Sequence, residues 1–334
     1  MELSYIRAVN AALSWALREL PDTVVYGEDV AIPGGPFGAT KGLCDEFGPR
    51  VFDTPISESA MIGAGLGMAL DGMRPIVEVM YGDFLLVAMD QIVNQVANAH
   101  YVSNGRLSAP MVIRTQHGST PGSCAQHSQS LEALFTHVPG LRVGLPATPD
   151  DAYQMLRAAV VSDDPVIVME SRRLYPLKGD VDLGAPVQGV GGARVVRPGS
   201  DVTIVTWGTL VGPSLEAAET LAGEGVDAEV VDLRWTAPMD IESVVTSATR
   251  TERLVVAHEA NRTGGLGAEV VAETVERLGR RLRAVRRVAT PDVRIPASPT
   301  LSTALLPTSD TVVSAVREVM TSPASSGVDQ EGPS

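Results

Sequence analysis

Glu58 is the side chain best placed by its neighbours to do chemistry. It lies in Asp53-Thr54-Pro55-Ile56-Ser57-Glu58-Ser59-Ala60-Met61-Ile62-Gly63-Ala64-Gly65-Leu66-Gly67, after a short extended run and before a helix of small residues. Ile56, Ala60, Met61 and Ile62 are apolar, which predicts a poorly solvated carboxyl. Burial favours the neutral, proton-donating form of such a group, so it serves either as a hydrogen-bonding helix start or as a catalytic acid. His127 is the second candidate, in Gln126-His127-Ser128-Gln129-Ser130 after a loop holding Gly118, Gly122 and Ser123. An imidazole that titrates near neutrality can bind a carboxylate or move a proton. His117, at the start of the same loop, is either a substrate contact or a solvated loop side chain. Phe84 follows Met80-Tyr81-Gly82-Asp83 at the start of a predicted helix. Its ring either packs on the core or faces a ligand, and Asp83 reads as a helix cap.

These groups need a scaffold that brings distant stretches together, and the chain alternates in the required way. Residues 1–19 carry apolar positions at helical spacing. Strands are predicted at Thr23–Tyr26, Arg50–Asp53, Pro75–Val79, Pro110–Arg114, Leu141–Leu145 and Pro165–Glu170. Helices are predicted at Ser59–Leu70, Phe84–Ser103, Ser128–His137 and Pro149–Val161, with a loop from Thr115 to Ala125. A Gly- and Pro-rich stretch, 181–200, reads as a linker with one strand at Ala193–Val196. A second alternation follows in 201–321, and the polar tail 322–334 is expected to be disordered. The expected fold class is α/β, with two doubly wound domains split as 1–180 and 201–321. Sheets of this kind hold ligands outside the carboxyl ends of their strands.

Composition narrows the function classes. The chain has 334 residues, 44% hydrophobic and 20% charged, as expected of a globular protein of about two domains. A net charge of -14 argues against nucleic-acid or anionic-membrane binding. Apolar runs stop well short of the roughly 20 residues a membrane span needs. The opening Met1-Glu2-Leu3-Ser4-Tyr5-Ile6-Arg7 lacks a basic-then-apolar secretory plan, and Cys44 and Cys124 are not spaced as metal ligands. A cytoplasmic protein with reduced thiols is expected. The near-alternating Arg280, Arg281, Arg283, Arg286 and Arg287 suggest a strand edge or a solvated face. Gly63-x-Gly65-x-Gly67 and Gly264-Gly265-x-Gly267 fail the dinucleotide-loop pattern, the first because Met68 takes the last place.

Thr54-Pro55-Ile56-Ser57-Glu58, the glycine-rich helix after it and Asp71-Gly72-Met73-Arg74-Pro75-Ile76-Val77-Glu78 together resemble one family. It is the beta subunit of the thiamine-diphosphate-dependent dehydrogenase component of 2-oxo acid dehydrogenase complexes, within the transketolase-like group. Gln126-His127-Ser128-Gln129 and Phe135-Thr136-His137-Val138-Pro139-Gly140-Leu141 carry the same resemblance. So do Asp232-Leu233-Arg234-Trp235, Pro238-Met239-Asp240 and His258-Glu259-Ala260. It implies a pyrimidine-binding domain followed by a transketolase C-terminal-like domain. It puts Glu58 on the pyrimidine ring of the cofactor, Phe84 in a stack on that ring, and Ile56 beside it. His127 becomes the active-site histidine, with Gln126 and His117 near the substrate. The backbones of Met111, Ala159, Val160, Ser162 and Asp164 become a potassium site. The chain has no Gly-Asp-Gly, so magnesium and the diphosphate are expected mainly on an alpha subunit.

The implied partners are that alpha subunit, in an alpha2beta2 heterotetramer, a lipoyl-bearing acyltransferase, and a small 2-oxo acid donor. The loop Arg114-Thr115-Gln116-His117-Gly118-Ser119-Thr120-Pro121-Gly122-Ser123-Cys124 departs from the family's Arg-x-Pro-x-Gly-Gly-Gly run. The donor therefore stays open among pyruvate, acetoin and branched-chain acids. Transketolase-like transfer of a two-carbon unit, or a non-catalytic partner role, are the alternatives. Donor screening separates the first, and cofactor titration with Glu58 altered separates the second.

Overall fold

Two sheets share one apolar core, and the alternation of side chains along their strands explains how. In the first sheet Val25, Ile76, Val112, Val166 and Val168 face one way, while Tyr26, Val77, Ile113, Ile167 and Met169 face the other. This is the period-2 alternation of a strand buried on both faces. A computed structural model describes residues 1–321, and the tail 322–334 lies outside the described residues.

The first sheet has seven strands in the spatial order Trp235–Ala237, Arg142–Gly144, Val166–Ser171, Val112–His117, Arg74–Val79, Thr23–Gly27 and Val51–Asp53. All pairs are parallel except the first. The helices Tyr5–Glu19 and Pro149–Val161 cover one face. Tyr5–Glu19 buries Ala8, Val9, Ala12, Leu13, Ala16 and Leu17, an i, i+3, i+4 stripe. Pro149–Val161 starts cleanly because Thr148 Oγ1 accepts from the Asp151 N–H at 3.1 Å and Pro149 occupies the first turn.

The second sheet runs Ala284–Thr290, Arg253–Asn261, Val202–Thr206, Ala228–Asp232 and Arg194–Arg197, parallel except for the last strand. Ile204, Val230 and Val255 face the helices Val211–Ala222 and Ser309–Thr321. Val205, Val231 and Val256 face the first sheet's core instead. Each such aliphatic side chain contributes about 1.5–3 kcal/mol by leaving water. The arginine-rich segment ends in the edge strand Ala284–Thr290, where Arg286 pairs with Glu318, while Arg283 just before it pairs with Glu252, as the alternating pattern implied. Among the described residues no helix is long and apolar enough to cross a membrane.

Several local expectations need correction. The predicted helix Phe84–Ser103 is broken into a 3-10 segment Gly82–Leu86, a π-turn Gln91–Val96 and a short helix Ala99–Val102. The Val87 carbonyl accepts from Ser59 Oγ at 2.8 Å, so a neighbouring helix draws on the backbone ladder at that point. The strand predicted at Pro110–Arg114 continues to His117 because Thr115, Gln116 and His117 pair with Met169, Glu170 and Ser171. Helix Glu132–Thr136 is shorter than predicted: the Gln129 N–H goes to Asp83 Oδ1 at 3.3 Å rather than into a helix. Asp83 is therefore a tie to that segment rather than a cap of its own. The strand expected within 181–200 is present at Arg194–Arg197, one residue along from the expected span, and joins the second sheet. Trp235–Ala237, from the second half of the chain, closes the edge of the first.

The buried centre of the first sheet is ionic. Arg114 Nε and Nη2 donate to Glu170 at 2.7 and 2.9 Å, and Nη1 donates to Glu78. Tyr175 adds its hydroxyl to Glu170 at 2.9 Å. Arg114→Leu would leave two carboxylates buried without their cation, a loss expected to be about 3–5 kcal/mol. Urea denaturation measures it. A loss under about 1 kcal/mol would show that the carboxylates find other partners or protons.

Candidate active site

The chemistry-bearing residues converge because five parallel strands end on one rim. Glu28 follows Thr23–Gly27, Glu58 follows Val51–Asp53, and Tyr81 and Phe84 follow Arg74–Val79. His117 ends Val112–His117, and Arg172 follows Val166–Ser171. Glu58 is the first residue of helix Glu58–Leu70 and is buried, as its apolar neighbours implied. The small residues of that helix matter at Gly65, where a Cβ would stand 2.7 Å from both the Tyr26 hydroxyl and Met111 Cε. Tyr26 in turn donates to the Met61 carbonyl at 2.7 Å, which fixes the helix against the sheet.

Ser59 and Val87 connect the Glu58 turn to the segment carrying Phe84. The half-buried Phe84 ring meets the His127 ring edge to face at 5.6 Å, and Tyr81 meets His127 at 4.4 Å. His127 is half-buried, whereas Gln126 is exposed and accepts from Cys124 Sγ at 2.8 Å. Ile56 is 79% exposed, an apolar side chain turned to solvent in the turn that carries Glu58. His117 is buried rather than a solvated loop residue, and neither ring nitrogen has a hydrogen-bond partner among the described residues. Burial, then the Arg172 charge, pushes its pKa down to about 4. His137 borders a separate groove with Pro238 and Glu269.

Glu28 escaped the sequence reading. Its pKa is raised by desolvation, then by Glu58, Asp29 and Glu78, so it shares the electrostatics of Glu58. The available signal was its place directly after a strand, in Gly27-Glu28-Asp29. Arg172 was also missed. Its Nη2 donates to the carbonyls of Gly118, at 3.0 Å, and His127. The second half of the chain holds the same loop: Ser119 N–H donates to Glu259 Oε1 at 2.6 Å, and Arg294 Nη1 donates to Gln129 Oε1 at 2.9 Å. Trp207 Nε1 donates to Glu132 at 3.2 Å while its indole stacks on His258 at 5.2 Å. The glycines at 265 and 267 leave room for that imidazole, since a Cβ at either would lie 2.6 Å from it.

A buried carboxyl, an unpartnered Glu28 oxygen and a half-exposed aromatic ring on one rim fit a flat nitrogen heterocycle. The five backbone oxygens read as a potassium loop each already accept a hydrogen bond. Arg74 Nη1 donates to Val160 at 3.0 Å and Ser162 at 2.9 Å, while Met111, Ala159 and Asp164 receive Val166 N–H, Ser162 N–H and Ser162 Oγ.

Comparison with known proteins follows the same division. The transketolase pyrimidine-binding domain matches residues 1–178 and the transketolase C-terminal domain matches 191–312. The beta subunit of acetoin:2,6-dichlorophenolindophenol oxidoreductase from Cupriavidus necator is 41% identical, covering 96% of this chain and 98% of that one. The 2-oxoisovalerate dehydrogenase subunit beta of Bacillus subtilis is 40% identical, covering 95% and 98%. The pyruvate dehydrogenase E1 component subunit beta of Leifsonia xyli subsp. xyli is 42% identical, covering 94% of each. Among solved structures, a split gene transketolase described as an inactive beta4 tetramer superposes with a TM-score of 0.77 at 27% identity, covering 96% and 99%.

Two buried imidazoles set an acid limit on stability. His117 and His258 are both pushed down to about 4, His258 by burial and then by Arg287 and Arg262. The unfolded chain protonates them near 6.5, so it binds more protons between pH 6.5 and 4. Their stabilising contribution is complete above pH 6.5 and is lost as pH falls toward 4. It amounts to on the order of 3 kcal/mol each at most. His117→Asn is expected to flatten the fall of melting temperature across that window. Parallel pH profiles for wild type and variant would show that His117 is not held neutral.

Proposed function

The chain belongs to the transketolase-like family of thiamine-diphosphate-dependent 2-oxo acid and acetoin dehydrogenase beta subunits, and we propose that it is the beta half of a decarboxylating 2-oxo acid dehydrogenase. In this reading it turns over only with an alpha subunit, as an alpha2beta2 heterotetramer in the cytoplasm. The alpha subunit contributes the magnesium that neutralises the diphosphate, and a lipoyl-bearing acyltransferase receives the acyl group. The observation that carries the reading is Glu58, buried at the first turn of a helix on the strand-end rim and tied through Ser59 to the segment whose Phe84 ring meets His127.

Thiamine diphosphate, when bound, supplies the electron sink for breaking the bond between a keto carbon and its carboxylate. Glu58 would hold a proton at the pyrimidine ring nitrogen, from a position where burial keeps that hydrogen bond out of competition with water. Phe84 would offer its ring face to the pyrimidine, a contact contributing on the order of 1 kcal/mol beyond burial. Ile56, exposed in the isolated chain, would cover the same ring. His127 would bind the donor carboxylate, or give up a proton as the acyl group leaves for the lipoyl sulfur. Gln126 and His117 stay candidates for donor recognition. His117, neutral and unpaired in its bonds, would suit a hydrogen-bonding group better than an aliphatic one. A potassium ion in the 159–164 loop would share its oxygens with Arg74, and no step is assigned to it.

Transketolase-like two-carbon transfer is the second reading, favoured by the structural likeness to the split gene transketolase. Donor screening of the assembled enzyme with 2-oxo acids and ketose phosphates separates the two. Glu58→Gln in that assembly is expected to lower turnover by about 10²-fold or more, with melting temperature unchanged. Near-normal turnover would remove Glu58 from the mechanism.

A further inference from the structure

His127 is carried on a loop, Gly118–His127, that is tied at Ser119 to Glu259 and within itself between Thr120, Ser123 and Ser128, but none of these bonds reaches His127. It spans a glycine in the left-handed region at Gly118 (φ 79°) and another at Gly122 (φ 81°). Its own helix begins only at Glu132. A side chain that must meet a reacting group needs more than this, because a misplacement of about 1 Å can cost 10²-fold in rate.

Arg172 supplies a constraint at His127 itself from an adjacent strand end. One guanidinium nitrogen, Nη2, donates to the carbonyl of Gly118 at 3.0 Å and to the carbonyl of His127. The loop's first and last residues are thus drawn to one cation. The guanidinium carbon also lies 4.9 Å from the centroid of the Tyr81 ring, and that ring packs against the His127 imidazole at 4.4 Å. Arg172 therefore touches His127 twice, once through its backbone and once through the aromatic surface beside its side chain. Phe84 closes the corner at 5.6 Å. A lysine could donate to both carbonyls but has no flat face to lie on Tyr81.

We propose that Arg172 is a positioning residue for His127, fixing the imidazole by clamping both ends of the Gly118–His127 loop and by backing the Tyr81 ring against which it rests. The proposal rests on the reading above that His127 works in the reaction. It adds a residue that acts through His127 rather than in its place.

A double-mutant cycle in the assembled alpha and beta enzyme tests it, with wild type, His127→Ala, Arg172→Ala and the double variant assayed for transfer to a lipoyl acceptor. Arg172→Ala is expected to lower kcat about tenfold to 10²-fold while the donor KM moves less than about threefold. In the His127→Ala background the same change is expected to cost almost nothing, because no imidazole remains to be positioned. Hydrogen exchange of 118–128 is expected to quicken in Arg172→Ala while the melting temperature holds. Arg172→Lys is expected to restore part of kcat, and it carries the test should the alanine variant fail to fold. A loss from Arg172→Ala that is equally large with and without His127, or unchanged exchange in the loop, overturns the proposal. If His127→Ala alone leaves transfer intact, the role given to His127 fails, and its positioning residue fails with it.

Discussion

A carboxyl group held away from water, yet open on one side to another molecule, is the constraint around which the first domain is built. Glu58 meets it by starting a helix whose close approach to the sheet is allowed by Gly65 and fixed by the Tyr26–Met61 hydrogen bond. A larger residue at Gly65 would push the helix outward, and Glu58 with it. The same helix start bonds to Val87 and so sets the place of Phe84. Acid and ring are positioned by one packing event rather than by two independent ones.

The second domain contributes to this site at a distance. Its sheet shares the apolar core of the first, and Trp235–Ala237 crosses over to pair with Arg142–Gly144. From that fixed platform Glu259, Arg294 and Trp207 each bond to the stretch between Ser119 and Glu132. The loop that carries His127 is thereby held by both halves of the chain. The glycines at 265 and 267 belong to this platform, making space for the His258 ring under Trp207.

What the sequence made legible was local or carried by motif. Strands such as Val202–Thr206 and helices such as Pro149–Val161 were readable because period and caps lie within a few residues of each other. Glu58 was readable from its local setting, and Met61 and Ile62 share its burial although Ile56 and Ala60 do not. Arg172 was not: the partners that define it lie 45 and 54 residues away, and no spacing rule connects them. Glu28 matters only because the sheet sets its strand beside the one that leads to Glu58. His117 was placed in a loop because the apolar run of the strand stops at Arg114. The strand runs on to His117 here because its backbone pairs with Ser171. At Val87 the irregular 84–103 segment likewise meets a partner from outside it, the Ser59 hydroxyl.

The central claim is that one acid on this polypeptide meets a heterocycle whose phosphate end is held by another. Titrating thiamine diphosphate into the beta chain alone, the alpha chain alone, and their mixture, followed by the pyrimidine ring's circular dichroism, tests that most directly. Saturable binding only in the mixture, with a ring signal that Glu58→Gln abolishes, is the expected result. An identical ring signal with Glu58 replaced, or equally tight binding by the beta chain alone, would contradict it.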